Sequence, residues 1–227
     1  MYNYFFLWIL FTLGSVNEVP GQRTEFGQVS QVQWEEKELS DGIIWKYGQF
    51  ENLFDSKQSI TVFEVDLSKE NVGVTVPHVE SGFVKTSEFG ERSGAVAAIN
   101  GSFFNTKTGG SVVFLMDQDS IYTHTIGESR DYRENAGFAM DGDGHVAMVH
   151  RPVQGWESLD MYPSVLASGP MLIYGGKPLK QVEEAFNLNR HPRTAIGLTQ
   201  DNTLIAVVVD GRNSNAHGMS MGELAIL

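Results

Sequence analysis

The sequence predicts an α+β fold, a mixed and mostly antiparallel sheet with short flanking helices. Three stretches carry that expectation. "SITVFEVDL" alternates apolar and polar residues with period two, as a half-buried strand does. "TAIGLTQDNTLIAVVVDG" reads as two apolar runs joined by a turn at "QDNT", the clearest hairpin of the chain. "GFAMDGDGHVAMVH" repeats the design around Asp-Gly-Asp-Gly, where glycine supplies the positive φ of a tight turn.

In chain order, the first feature is an apolar run from Tyr4 to Leu13. It is short for a membrane span and suits the core of a secretory signal peptide, although no Lys or Arg precedes it. An uncleaved anchor and a buried strand are the alternatives. The expected organisation is therefore a signal peptide at 1–20, a polar segment with a lead-in strand at 21–58, and the main domain at 59–227. "WEEKELSDG" reads as solvated, and "NVGVTVP" as a second alternating strand ending at Pro77. "TSEFGERSG" predicts a short helix capped by Thr86 or Ser87 and stopped by Gly94. "AVAAI" predicts a strand of small apolar residues. "PMLIYGGKPL" predicts a strand and a Gly-Gly turn, and "KQVEEAF" a helical turn. Ser220 and Glu223 have the spacing of a capping box, which starts the last helix at Ser220.

Composition excludes several functions. A formal charge of −12 leaves no basic patch for nucleic acid. The chain has no cysteine, so it carries no lipoprotein-type anchor, and an exported fold would rest on its core rather than on disulfides. His124, His145, His150, His191 and His217 show no zinc spacing, and "DGDG" before His145 lacks the later Glu of a calcium loop. No P-loop and no GxSxG elbow occur. No cofactor is expected, and a metal requirement stays open. The expected location is secreted or periplasmic, with no membrane span after signal cleavage.

Three segments share one design, in which a buried strand delivers small and polar residues at its end. Asn100 and Gly101 follow "AVAAI" and read either as a ligand-facing mouth or as an Asn-Gly turn. Ser168, Gly169 and Pro170 precede "MLIY" and read either as a site rim or as a corner. Arg193 and Thr194 open one strand of the clearest hairpin, while Asp210, Gly211 and Arg212 close the next. Antiparallel pairing brings these ends together, so two guanidiniums beside one carboxylate would form an anion site. A surface salt bridge at a sheet edge is the alternative.

"AAINGSFFNTKTGG", "ASGPMLIYGGK", "HPRTAIGLTQDNTLIAVVVDGR" and "HGMSMGELA", in this order, resemble the phosphodiester glycosidase family over roughly residues 60 to 227. The resemblance implies a secreted hydrolase that releases a sugar, N-acetylglucosamine-like, from a sugar-1-phosphodiester or a related exopolysaccharide linkage. It implies catalytic roles for Asp210, Arg193 and Asn100. Substrate contacts would come from Gly101, Phe103, Phe104, Ser168, Gly169, Thr194, Gly211 and Arg212. In that family a further strand closes on an Asn-Leu-Asp-Gly-Gly-Gly-Ser-Ser type motif, and this sequence ends at Leu227 before it. The expectation is a domain lacking those final strands, with an inactive fragment or a non-catalytic glycan-binding protein as the alternative. The second carboxylate of a glycosidase would lie in that motif, with Asp117 and Glu223 as weaker substitutes.

Overall fold

The computed structural model describes residues 29–30, 33–125 and 133–227. The apolar run at 4–13 lies outside the described residues. One five-stranded sheet runs in the order β1 (Glu35–Ser40), β2 (Ile43–Phe50), β3 (Gln58–Asp66), β12 (Thr203–Val209), β11 (Arg193–Leu198). A second runs β5 (Ser120–Thr123), β4 (Leu115–Asp117), β8 (Ser164–Ser168), β6 (Ala136–Met140), β7 (Val146–His150). A two-stranded ribbon joins β9 (Ile173–Tyr174) to β10 (Lys177–Pro178). Among the described residues, short helices accompany them, including α1 (Thr86–Ser93), α2 (Ala185–Leu188) and α3 (Met221–Ile226). All of these ladders are antiparallel, and the architecture is the α+β class that the sequence predicts.

Alternation along β3 and β12 explains how the layers stack. Ile60 and Val209 point to one face, where they meet Met219 and the α3 residues Met221 and Leu224. Val65 and Leu204 point to the other, where they pack on Phe138 and Val146 of the second sheet. The far face of that second sheet buries Phe114, Ala139 and Val165 under Trp156, which is 1% exposed. Each such large apolar side chain contributes about 1.5–3 kcal/mol by leaving water.

Five local expectations are corrected. "NVGVTVP" is extended, with Val72, Val74 and Val76 half-buried and their neighbours exposed, yet it joins no ladder. "AVAAI" forms no strand either. Alternation encodes which side is apolar, whereas a strand also needs a neighbour at hydrogen-bonding distance. The stretch "EEKELS", read as merely solvated, is the edge strand β1, and its charges suit an unpaired edge. The helical turn expected at "KQVEEAF" forms later, as α2. Gly94, with φ 63°, stops α1 as expected, but the cap is Lys85, with no side-chain cap bond, and not Thr86 or Ser87, which lie inside the first turn.

Candidate active site

The β11–β12 hairpin sets the geometry. Thr199 pairs across to Thr203, leaving a three-residue loop with Asn202 at φ 64°. The register that follows sets Arg193 opposite Val209, not opposite Asp210. Arg193 therefore shares the face of Val209 and Ile60, the α3 side. Asp210 comes one residue later and leaves by the other face. There its Oδ2 accepts the Ser59 hydroxyl at 2.7 Å, and Tyr47 lies 3.3 Å from the same hydroxyl. The expectation that the Arg193 and Asp210 side chains share one anion pocket is corrected. The strand ends are adjacent, but the side chains point to opposite faces.

Arg193 is buried at 7% exposure. Its Nε donates to Met219 O at 2.9 Å, and its Nη2 to Phe186 O at 2.7 Å and Asn189 O at 3.0 Å. Burial first, then the charge of Arg212, pushes its pKa down to about 10. It remains a cation at neutral pH, clamping α2 and the approach to α3.

Thr194 leaves by the same face as Asp210, and its hydroxyl donates to Asn100 Oδ1 at 2.6 Å. The Asn100 loop is thereby tied to the hairpin although no strand precedes it. Phe103 packs on Phe186 at 6.0 Å, whereas Phe104 turns outward, 54% exposed, against Phe83 at 6.2 Å. Phe186 also carries the Arg193 guanidinium 5.0 Å from its ring centre and that of Arg133 at 4.4 Å. Ser168 ends β8, paired with Ala136. Gly169 is required where it stands, since φ is 149° and a Cβ would fall 2.6 Å from Arg133 O. Gly211 is equally constrained, because a Cβ there would come 2.6 Å from Pro192 N.

Arg212 is exposed and adopts φ 62°, a conformation that non-glycine residues rarely hold. Its Nη2 lies 3.0 Å from His191 Nδ1. Burial, followed by Arg193 and Arg212, holds the His191 imidazole below the ordinary histidine range. Asp117 and Glu223, the substitute carboxylates, are both engaged elsewhere. Asp117 accepts the Ser164 hydroxyl at 2.6 Å, and Glu223 binds Arg190 at 2.5 Å while closing the capping box with Ser220. Asp141, Asp143 and His145 bring ligand atoms within 4.8 Å of one another, but Asp141 Oδ1 already accepts the backbone N–H groups of Asp143 and His145 in the hairpin turn.

Sequence reasoning missed Ser59, Phe186 and His191 as partners of the site. Ser59 had only a weak signal, as a polar residue at the start of an alternating strand. Phe186 looked like the apolar residue of one helical turn. His191 belongs to no metal-ligand spacing and carries no other signal in the sequence.

The scaffold is a two-sheet α+β fold that presents an anchored carboxylate, Asp210, and an amide–hydroxyl pair, Asn100 and Thr194, on one face of the first sheet. The chain belongs to the phosphodiester glycosidase family, whose sequence profile matches residues 93–227. Membership implies a sugar-containing substrate. Solved structures share the fold, among them two at low identity. One is the zebrafish N-acetylglucosamine-1-phosphodiester alpha-N-acetylglucosaminidase catalytic domain auto-inhibited by its pro-peptide, with TM-score 0.56 and 16% identity, covering 86% of this chain and 67% of that one. The other is a candidate exported protein of Burkholderia pseudomallei, with TM-score 0.55 and 14% identity, covering 75% of this chain and 65% of that one. No curated protein sequence matches. Among the described residues no helix is long and apolar enough to cross a membrane.

Proposed function

We propose that this chain is an exported glycoside hydrolase releasing an N-acetylglucosamine-like sugar from a sugar-1-phosphodiester or a related exopolysaccharide linkage. Asp210 carries the reading, as an exposed carboxylate fixed by Ser59 on the sheet face that also holds Thr194 and Asn100. Asp210 activates water or attacks the anomeric carbon. Asn100 and Thr194 hold sugar hydroxyls, Phe103 and Phe104 line the sugar, and Ser168, Gly169, Gly101 and Gly211 shape the rim. A phosphate leaving group, with its second pKa near ~6, needs little protonation to depart, so charge stabilisation outweighs general-acid help. Arg212 supplies that charge at the surface. Arg193 acts from below as a positioning residue that fixes α2 and the β11 start. The named function of the zebrafish relative supports the substrate class, and the apolar run at 4–13 together with the Burkholderia neighbour supports export. The proposed organisation keeps 1–20 as leader, 21–58 as lead-in and 59–227 as the glycosidase domain.

The test is hydrolysis of an N-acetylglucosamine-1-phosphodiester by this chain and by Asp210→Asn. Loss of a general base or nucleophile lowers the rate by about 10²–10⁴-fold. Equal rates would discard Asp210, and sugar binding without turnover by the unmodified chain would leave only a glycan-binding module.

A further inference from the structure

We infer that the aromatic pair Trp45–Tyr47 on β2 is a saccharide platform leading to Asp210, so that the chain takes a run of linked sugars and not one sugar on a small aglycone. The inference rests on the reading of Asp210 as the catalytic carboxylate and adds the substrate class. Both aromatic residues lie N-terminal to the family match, which begins at residue 93.

Register places the platform. Val65, Leu204 and Leu198 stand side by side across the first sheet, and there the second sheet covers it. On the same face, the next row carries Trp45 opposite Phe63, and the row after it carries Tyr47 opposite Thr61. Ser59 and the exposed Asp210 follow, since Asp210 N–H donates to Ser59 O at 2.9 Å. Trp45, Tyr47 and Phe63 are half-buried and belong to none of the three hydrophobic clusters. The face therefore opens from its covered end towards the carboxylate, with two aromatic rows on the way.

The contacts join platform and carboxylate. The Trp45 and Tyr47 ring centres are 6.1 Å apart and their planes lie 4° from parallel, so both rings face one direction. A ring face carries negative potential and the C–H bonds of a pyranose a slight positive charge, so a sugar stacks there. Ser59 gives its one hydroxyl proton to Asp210 Oδ2 at 2.7 Å, so Tyr47 is the donor in its 3.3 Å contact with Ser59 Oγ. The Tyr47 oxygen keeps its lone pairs for a sugar hydroxyl. Exposed Lys37 and Glu35 stand opposite Trp45 and Tyr47 on β1 and offer further hydroxyl partners. Two strand spacings, about 10 Å, separate β2 from the end of β12 that leads into Asp210, which exceeds a single pyranose ring. An apolar protein surface docked here would bury the Tyr47–Ser59–Asp210 chain without partners. The formal charge of −12 repels nucleic acid. A run of hydroxyl-bearing rings satisfies the aromatic faces and the polar chain together.

Isothermal titration with N-acetylglucosamine and its β-1,4-linked dimer, trimer and tetramer tests this without requiring turnover. Each ring contact multiplies affinity by about two- to tenfold, so the trimer should bind about tenfold tighter than the monomer. Trp45→Leu should remove most of that length dependence and leave the monomer affinity unchanged, whereas a merely structural role would lower both alike. Trp45→Phe, which keeps a ring face, should retain part of it. Urea midpoints confirm that the variants fold. Equal affinity for monomer and trimer in the unmodified chain, or binding of neither, overturns the inference. So does a length dependence that survives Trp45→Leu in full. Self-association of the chain that Trp45→Leu abolishes would assign the patch to a second copy and overturn it as well. Length-dependent binding in a chain that never cleaves an N-acetylglucosamine-1-phosphodiester would keep the platform and remove the hydrolase reading. Cleavage without any length dependence would do the reverse.

Discussion

Replacing Arg193 by Met separates a structural clamp from a substrate ligand. Met fills similar space and has no donor, so Phe186 O and Asn189 O lose their partner, while Met219 O retains the His191 N–H at 3.2 Å. Hydrogen bonds from a charged donor contribute ~1.5–3 kcal/mol each, so roughly 5 kcal/mol is removed. Against that stands the cost of keeping a cation buried and close to Arg212, visible in the fall of its pKa to about 10. At ~1.36 kcal/mol per unit, this offsets roughly 3 kcal/mol. The net expectation is a destabilisation of about 2 kcal/mol, which lowers the urea midpoint by about 1 M for a typical slope. Arg193→Lys should fall between the two, since an ammonium cannot reproduce the three-bond fork. Urea titration followed by tryptophan fluorescence reads the effect. A Met variant as stable as the parent to within about 0.5 kcal/mol, but unable to bind inorganic phosphate, would refute the clamp and make Arg193 the ligand.

Two further perturbations probe the frame of the site. Glu223→Gln keeps a cap acceptor and removes the charge facing Arg190, and about 1–2 kcal/mol of stability should go with it. Burial pushes the Glu223 carboxyl up, but Arg190 and Ser220 together hold it below its ordinary 4.5. The folded value is depressed, so the stabilisation is complete above that pH and fades as pH falls through the folded value. The gap between Gln variant and parent should therefore shrink in acid, and a gap independent of pH would sink the account. Glu134 is 3% exposed and accepts Trp156 Nε1 at 3.1 Å, Phe114 N at 3.4 Å and the Thr125 hydroxyl. Glu134→Ala should cost about 3 kcal/mol and flatten the near-UV circular dichroism of Trp156, and an unchanged spectrum would contradict that hub.

Much of the fold was legible because its signals are local. The β6–β7 and β11–β12 hairpins, the β9–β10 ribbon and the Ser220–Glu223 box each lie within a few residues of their cause. "NVGVTVP" and "AVAAI" misled because their pattern reports burial of one side without reporting a partner. The site was legible as a set of segments. Its partners Ser59, Phe186 and His191 sit far along the chain from Asp210, Phe103 or the Asn100 loop, or carry no motif.

By itself the sequence determined that the β11–β12 strands pair, which of their positions alternate, and that Arg193 and Asp210 stand at one end of the hairpin. Tertiary structure decided the faces. A four-residue turn at "QDNT" would pair Thr199 with Leu204 and set Arg193 opposite Asp210. The actual loop is one residue shorter, closes through Asn202 in the left-handed region, and pairs Arg193 with Val209. Side chains alternate with period two, so that single residue carries the guanidinium to the α3 side and leaves the carboxylate on the other.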